Sequence, residues 1–160
     1  NQAALTIFGP KKILDRFVEH LNLLELEDYT NGYLSQDVAV WEMGSKTAVQ
    51  NTDNPANIFE NISQLGQDDQ FFWQLVLGAK KIKNDFFFQA QIRAMLYCKD
   101  PIKREALVSI FEKLPSGNLV KVPKPFSTEQ MLNFFRLRSL SKDSSGPVLD
   151  SAGVMNLLKV

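Results

Sequence analysis

Hydrophobic positions along this chain switch between a helical and an extended period, and the switches outline its elements. Residues 3–8 read as a short strand stopped by Gly9-Pro10. Over 11–24, Ile13, Leu14, Phe17, Val18, Leu21 and Leu24 fall on one stripe, which predicts a helix. Residues 37–43 are strand-like. Asp53 or Asn54 can cap a helix with Pro55 at its first position, where a missing N–H costs nothing; Ile58, Phe59, Ile62 and Leu65 form its apolar side before Gly66 ends it. A strand over 71–77 follows. Over 86–97, Phe86, Phe88, Ala90, Ile92, Ala94 and Leu96 alternate with Phe87, Gln89, Gln91, Arg93, Met95 and Tyr97. That period of two predicts a strand with one face in a core and one partly wet.

Asp100-Pro101 repeats the cap-plus-proline device and launches a helix with Ile102, Ala106, Leu107, Ile110, Phe111 and Leu114 inward, ended by Pro115-Ser116-Gly117. After a short strand over 119–122, Ser127-Thr128-Glu129-Gln130 forms a capping box, with Phe126 and Met131 placed for a hydrophobic staple, and a helix to about Leu137 follows. Residues 142–147 read as a polar loop or hinge, and a short helix capped by Asp150 or Ser151 carries Val154, Met155, Leu157 and Leu158. The expected fold is α+β: a mostly antiparallel sheet packed on one face by three to four helices, with a helical C-terminal appendage. The expected division is a main domain over 1–126 and the appendage over 127–160, the tail from 148 touching the main domain only weakly.

Composition adds limits. At 160 residues and 44% hydrophobic, the chain can bury one ordinary core. No apolar run approaches the roughly 20 residues that a membrane helix needs, so no membrane span is expected. The first residue is Asn1 rather than methionine, which reads as a fragment of a longer product. The single cysteine, Cys98, excludes an internal disulfide and a cysteine-based zinc site.

A net charge of zero hides a division. Residues 1–78 hold 4 Lys/Arg against 11 Asp/Glu, and residues 79–160 hold 14 against 7. The halves can fold together with compensating surfaces. Alternatively the basic half presents a face to nucleic acid or anionic lipid, with Lys80, Lys81, Lys83, Arg93, Lys99, Lys103 and Arg104 as its candidates. Phe71, Phe72, Trp73 and Phe86, Phe87, Phe88 place rings on both faces of neighbouring strands. Such rings can stack bases, or can be covered on one face by this domain's helices and on the other by a partner.

Catalytic constellations are not found. Gly44-Ser45-Lys46-Thr47 lacks the glycines with which a phosphate loop surrounds a nucleotide. His20 lies on the amphipathic helix, where a partly exposed position outweighs a catalytic one. Asp68-Asp69 reads as a solvated turn, and Cys98 as an inert thiol rather than one activated by Lys99. The chain is expected to be no enzyme and to need no cofactor or metal.

The order of elements carries a resemblance. Strand, helix, Glu27-Asp28-Tyr29, a strand over 38–43, the Asp53-x-Pro55 helix, a strand over 70–77 and a long strand ending in Ile92-Arg93 together resemble the region preceding the motor domain in HerA/FtsK-type ATPases of conjugative and type IV secretion systems. Leu149-Asp150-Ser151-Ala152-Gly153-Val154-Met155 stands where that family carries a leucine-rich segment, without its paired glutamates, and the link over 78–85 is shorter than in relatives. The resemblance implies a non-catalytic accessory domain serving assembly, substrate recruitment or docking. It also implies a motor ATPase domain or other secretion-system proteins as partners, with DNA as a further candidate, and a cytoplasmic location that can reach the inner face of the membrane through a parent protein. Two alternatives stand beside it: a free-standing interaction adaptor of a secretion apparatus, and a sheet-based nucleic-acid-binding module.

Overall fold

Alternating strands of this length need partners on both sides, and one of the two longest finds three. The structure, a computed structural model, describes residues 12, 15, 30–45, 62–82, 85–112, 119–123, 126–138, 140 and 146–158. The expected strand over 3–8, the helix over 11–24 apart from Lys12 and Asp15, His20, the proline-led helix up to residue 61, Lys46, Thr47, Lys83 and the polar loop over 141–145 lie outside them. The chain divides into two compact units, Asn1–Gly32 and Tyr33–Val160. In the first, Lys12 and Asp15 are helical and exposed, and residues 30–32 form a turn.

The second unit is built on an antiparallel sheet of five strands: β1 (Val38–Ser45), β2 (Gln70–Ile82), β3 (Asp85–Tyr97), β4 (Leu119–Val122) and β5 (Val148–Leu149). The spatial order is β2-β3-β1-β4. β2 and β3 form a hairpin registered from Gln70↔Tyr97 to Ile82↔Asp85. Residues 78–82, expected in a link, therefore continue a strand. Gly78-Ala79-Lys80-Lys81 shows no apolar alternation of its own, and the long partner strand carries it. On the other side of β3, β1 pairs from Val38↔Tyr97 to Met43↔Ile92, and β5 takes up the same edge further along at Phe88↔Leu149 and Gln89↔Val148.

Three α-helices are described: α1 (Pro101–Phe111), α2 (Thr128–Leu137) and α3 (Ser151–Leu158). The side-chain caps expected for α1 and α2 are present. The Asp100 side chain accepts from the backbone N–H groups of Ile102 (2.9 Å) and Lys103 (3.1 Å), with Pro101 at the first position. Ser127 and Gln130 form the reciprocal capping box of α2.

The fold is α+β as expected, but its helices lie on both faces of the sheet. On one face, Trp41, Met43, Ala90, Ile92, Ala94 and Leu96 pack with Leu107 and Phe111 of α1 and with Phe71, Trp73 and Leu75 of β2. On the other, Val38 and Met95 pack with Leu132 and Phe135 of α2, joined by Tyr33, Val40, Phe72 and Tyr97. The face expected to be partly wet is thus covered, because the capping-boxed helix needed an apolar surface for Met131, Leu132 and Phe135.

The expected boundary after residue 126 is corrected in the same way. α2 is a layer of the main unit, and the segment beginning at Gly146 adds a strand to its sheet. Leu149 is only 1% exposed, Gly153 is buried, and Val154 packs on the core. Gly146 lies so close to β3 that a Cβ there would overlap the Ala90 carbonyl.

Candidate functional site

Polar side chains inside a sheet layer must find partners, and here they form one row across three strands. Arg93 on β3 is paired in register with Glu42 on β1 and with Gln74 on β2, so all three stand side by side on the face that α2 covers. Gln91, two residues before Arg93, shares that face. Arg93 Nη2 donates to Gln91 Oε1 (2.7 Å), and Gln91 Nε2 donates to Glu42 Oε2 (2.7 Å). Arg93 Nη1 donates to Gln74 Oε1 (3.1 Å) and to the Phe134 carbonyl (2.8 Å), while Gln74 Nε2 donates to the Phe135 carbonyl (2.8 Å).

Phe134 and Phe135 belong to the last turn of α2, where helix carbonyls run short of partners; the Phe135 carbonyl also accepts from the Arg138 N–H at the C-cap (3.3 Å). A buried guanidinium and a half-buried amide of the sheet therefore cap α2 from below, with positive charge at the negative end of its dipole. Burial pulls the Arg93 pKa below its ordinary value, and the charge of Glu42 opposes that shift. The helix is also tied at its side, where Arg136 Nη2 donates to the Tyr33 carbonyl (2.6 Å).

The six basic candidates among the described residues do not converge. Arg93 is 1% exposed and engaged as just described, so it lies beneath a helix rather than on a basic face. Lys80 and Lys81 are exposed near the distal end of the hairpin but, as successive strand residues, project to opposite faces. Lys83 lies outside the described residues. Lys99 is exposed in the turn after β3, and Lys103 and Arg104 follow on α1. Lys80 pairs with Phe87 and β3 ends at Tyr97, so at ~3.3 Å per residue the two groups stand about 33 Å apart along the strand.

At the second of these places Lys103 and Arg104 are already partnered. Lys103 Nζ lies 2.5 Å from Asp69 Oδ2, and Arg104 Nη1 donates to the Cys98 carbonyl (2.5 Å). Asp69, expected in a solvated turn, has a side chain only 8% exposed and also accepts from the Gly66 N–H (2.7 Å). Burial alone would raise its pKa, but the hydrogen bonds from Lys103, Cys98 and Gly66 hold it below the ordinary value. Cys98 is buried, and burial together with its hydrogen bond to Asp69 pushes the thiol pKa up, away from a reactive thiolate. An open cleft of about 330 Å³ lies here, lined by Gly66, Gln67, Asp69, Cys98, Lys99 and Lys103 among others. The Asp69–Lys103 pair joins the turn before β2 to the first turn of α1.

The aromatic rings of β2 are likewise committed to packing. Phe71 stacks on Phe111 of α1 (centroids 4.4 Å apart), and Phe72 meets Tyr33 and Phe135 edge-on at 5.6 and 6.5 Å. Among the described residues no group of His, Cys, Asp and Glu is arranged to hold a metal ion, and no helix is long and apolar enough to cross a membrane. Exposed apolar side chains include Leu77 and Ile82 on β2, each 39% exposed. Among the described residues, β2 has no neighbour on its outer side. No family model, curated protein or solved structure matches the chain.

The row Glu42–Arg93–Gln74 escaped the reading of the sequence. Its signal was the polar spacing Gln89, Gln91, Arg93 on a strand whose opposite positions are all apolar. That spacing becomes informative only once a helix with an unmatched apolar stripe is assigned to the same face.

Proposed function

We propose that this chain is a non-catalytic docking domain, of the kind that precedes the motor in conjugative DNA-transfer and type IV secretion ATPases. The observation that carries this reading is where its polar chemistry goes. Arg93, Gln91, Gln74 and Glu42 bond to one another and to the carbonyls of α2, so the buried polar groups hold layers together rather than face a cleft. The outer edge of β2, with Leu77 and Ile82 part-exposed, is the kind of surface to which an extended partner segment adds as a further strand.

Such a domain acts by presenting a rigid sheet to neighbouring secretion proteins. The reading is tested on the gene downstream of the Val160 codon. A strand followed by Gly-x4-Gly-Lys-Ser/Thr within about 50 residues is the expected outcome. A stop codon directly after Val160 overturns the motor context in favour of a free-standing adaptor, a use that the β2 edge serves equally.

Nucleic-acid binding is the weaker reading, because its cations divide between the two ends of β3. It predicts DNA affinity at about 50 mM salt that falls steeply as salt rises and drops on every sequence alike when Lys80 and Lys81 are reversed in charge. Absence of binding at tens of micromolar protein removes it.

A further inference from the structure

We infer that residues 146–154 form a latch that closes on β3 and opens as one unit, independently of the rest of the sheet. β1 leaves β3 beyond Met43↔Ile92, so the edge of β3 at Phe88–Ala90 would stand bare beside it. The segment from Gly146 fills that gap. The Pro147 carbonyl accepts from the Ala90 N–H (2.9 Å), the Gly146 carbonyl accepts from Gln89 Nε2 (2.9 Å), and Leu149 enters the core beside Ala90. Each residue suits its place. Glycine is required at 146, where any side chain meets the Ala90 carbonyl. Proline is tolerated at 147 because that position contributes its carbonyl, the group that Ala90 uses.

The remainder of the latch is held together locally. Asp150 Oδ1 accepts from the Gly153 N–H (2.7 Å) and the Asp150 carbonyl accepts from the Val154 N–H (3.0 Å), which caps α3. Gly153 sits against Leu149. Strand and helix start thus form one piece with its own internal bonds. Its hold on β3 is a two-residue ladder, against the thirteen-residue pairing of β2 with β3. A segment so attached opens below the cost of global unfolding. Its opening uncovers an edge shaped for an extended segment with no side chain opposite the Ala90 carbonyl and a leucine three positions later. The occupant of that edge is the chain's own Gly146–Leu149.

Amide hydrogen exchange on the full chain tests this. In the wild type, the amides of Ala90, Gly153 and Val154 exchange with one shared protection, at least about tenfold lower than that of Ile92 to Leu96. Gly146→Ala, and separately Leu149→Ala, accelerates the first group by a further tenfold or so and leaves Ile92 to Leu96 within about twofold of wild type. The inference is overturned if the wild-type latch amides are as protected as Ile92 to Leu96. It is equally overturned if both variants accelerate the two groups alike, since the segment is then part of the global core.

Discussion

The two faces of the sheet are both covered by a helix, but the helices are held by different chemistry. α1 rests on a continuous apolar layer in which Phe111 stacks on Phe71, and its first turn is pinned at the rim by the part-exposed Lys103. α2 rests on a smaller apolar patch, and its last turn is fixed by a buried cation that reaches up from the sheet. Apolar packing is tolerant of direction. The bonds of Arg93 and Gln74 are not, since they require the carbonyls of Phe134 and Phe135 to lie within hydrogen-bond reach of those two side chains. The polar row therefore fixes the position of α2 on its face, where the apolar contacts alone would permit sliding.

The largest effects expected come from breaking either hold at its centre. Phe111→Ala removes a fully buried ring and should cost about 3–5 kcal/mol. Arg93→Ala should cost a similar ~3–5 kcal/mol, by a different route: it leaves Glu42 without its cation and the Phe134 carbonyl short of a donor. A double-mutant cycle distinguishes them. Arg93→Met combined with Glu42→Gln should be less destabilised than the sum of the two single changes, by about 0.5–3 kcal/mol, because neutralising Glu42 relieves the charge that Arg93 no longer balances. Chemical denaturation of the four proteins measures this. Strict additivity would mean that Glu42 and Arg93 do not act as one network, and the contrast between the faces would fail.

Most of the fold was legible in the sequence, and the limits of that reading have physical causes. Caps are local: Asp100-Pro101 and the box Ser127 to Gln130 depend on side chains reaching their own helix, so four adjacent residues suffice to find them. Alternation is also local, and it placed β1, the core-facing half of β2, and β3. Three things are not local. The distal half of β2 is a strand only because Phe86 to Gln89 lie across from it. β5 is two residues long and exists through a gap left by β1. Arg93 looked like a surface cation because the helix that buries it starts about 35 positions later in the chain. Of the candidate site, the residue types were visible and their company was not.

A smaller effect tests the helix ends. Ser127→Ala removes one half of the capping box of α2 and should cost about 1 kcal/mol. The comparison is sharpened by where that cost appears. With its C-terminal end held by Arg93, α2 should fray only at its first turn, so exchange at Gln130 should quicken while amides near Phe135 hold. Loss of protection along the whole helix would show that the box, rather than the buried cation, is its anchor.

The smallest effect is at the rim that pins α1. Asp69 has a folded pKa below its ordinary value, so its contribution to stability is present above the unfolded pKa of about 3.9 and is lost as pH falls through the folded one. Lys103 is shifted the other way, upward, chiefly by its bond to Asp69, so its contribution is present through neutral pH and lost only as pH rises through its raised pKa. The pair should therefore be indifferent to pH between these limits and matter on the acid limb. Asp69→Asn should lower the melting temperature slightly at pH 7, less than Ser127→Ala does, and should flatten the fall in stability below pH 4. Lys103→Met should weaken that fall without abolishing it, because Cys98 and the Gly66 N–H still favour the ionised carboxylate. An acid limb unchanged by Asp69→Asn would show that the rim contributes nothing, and that α1 is held to the sheet by its apolar face alone.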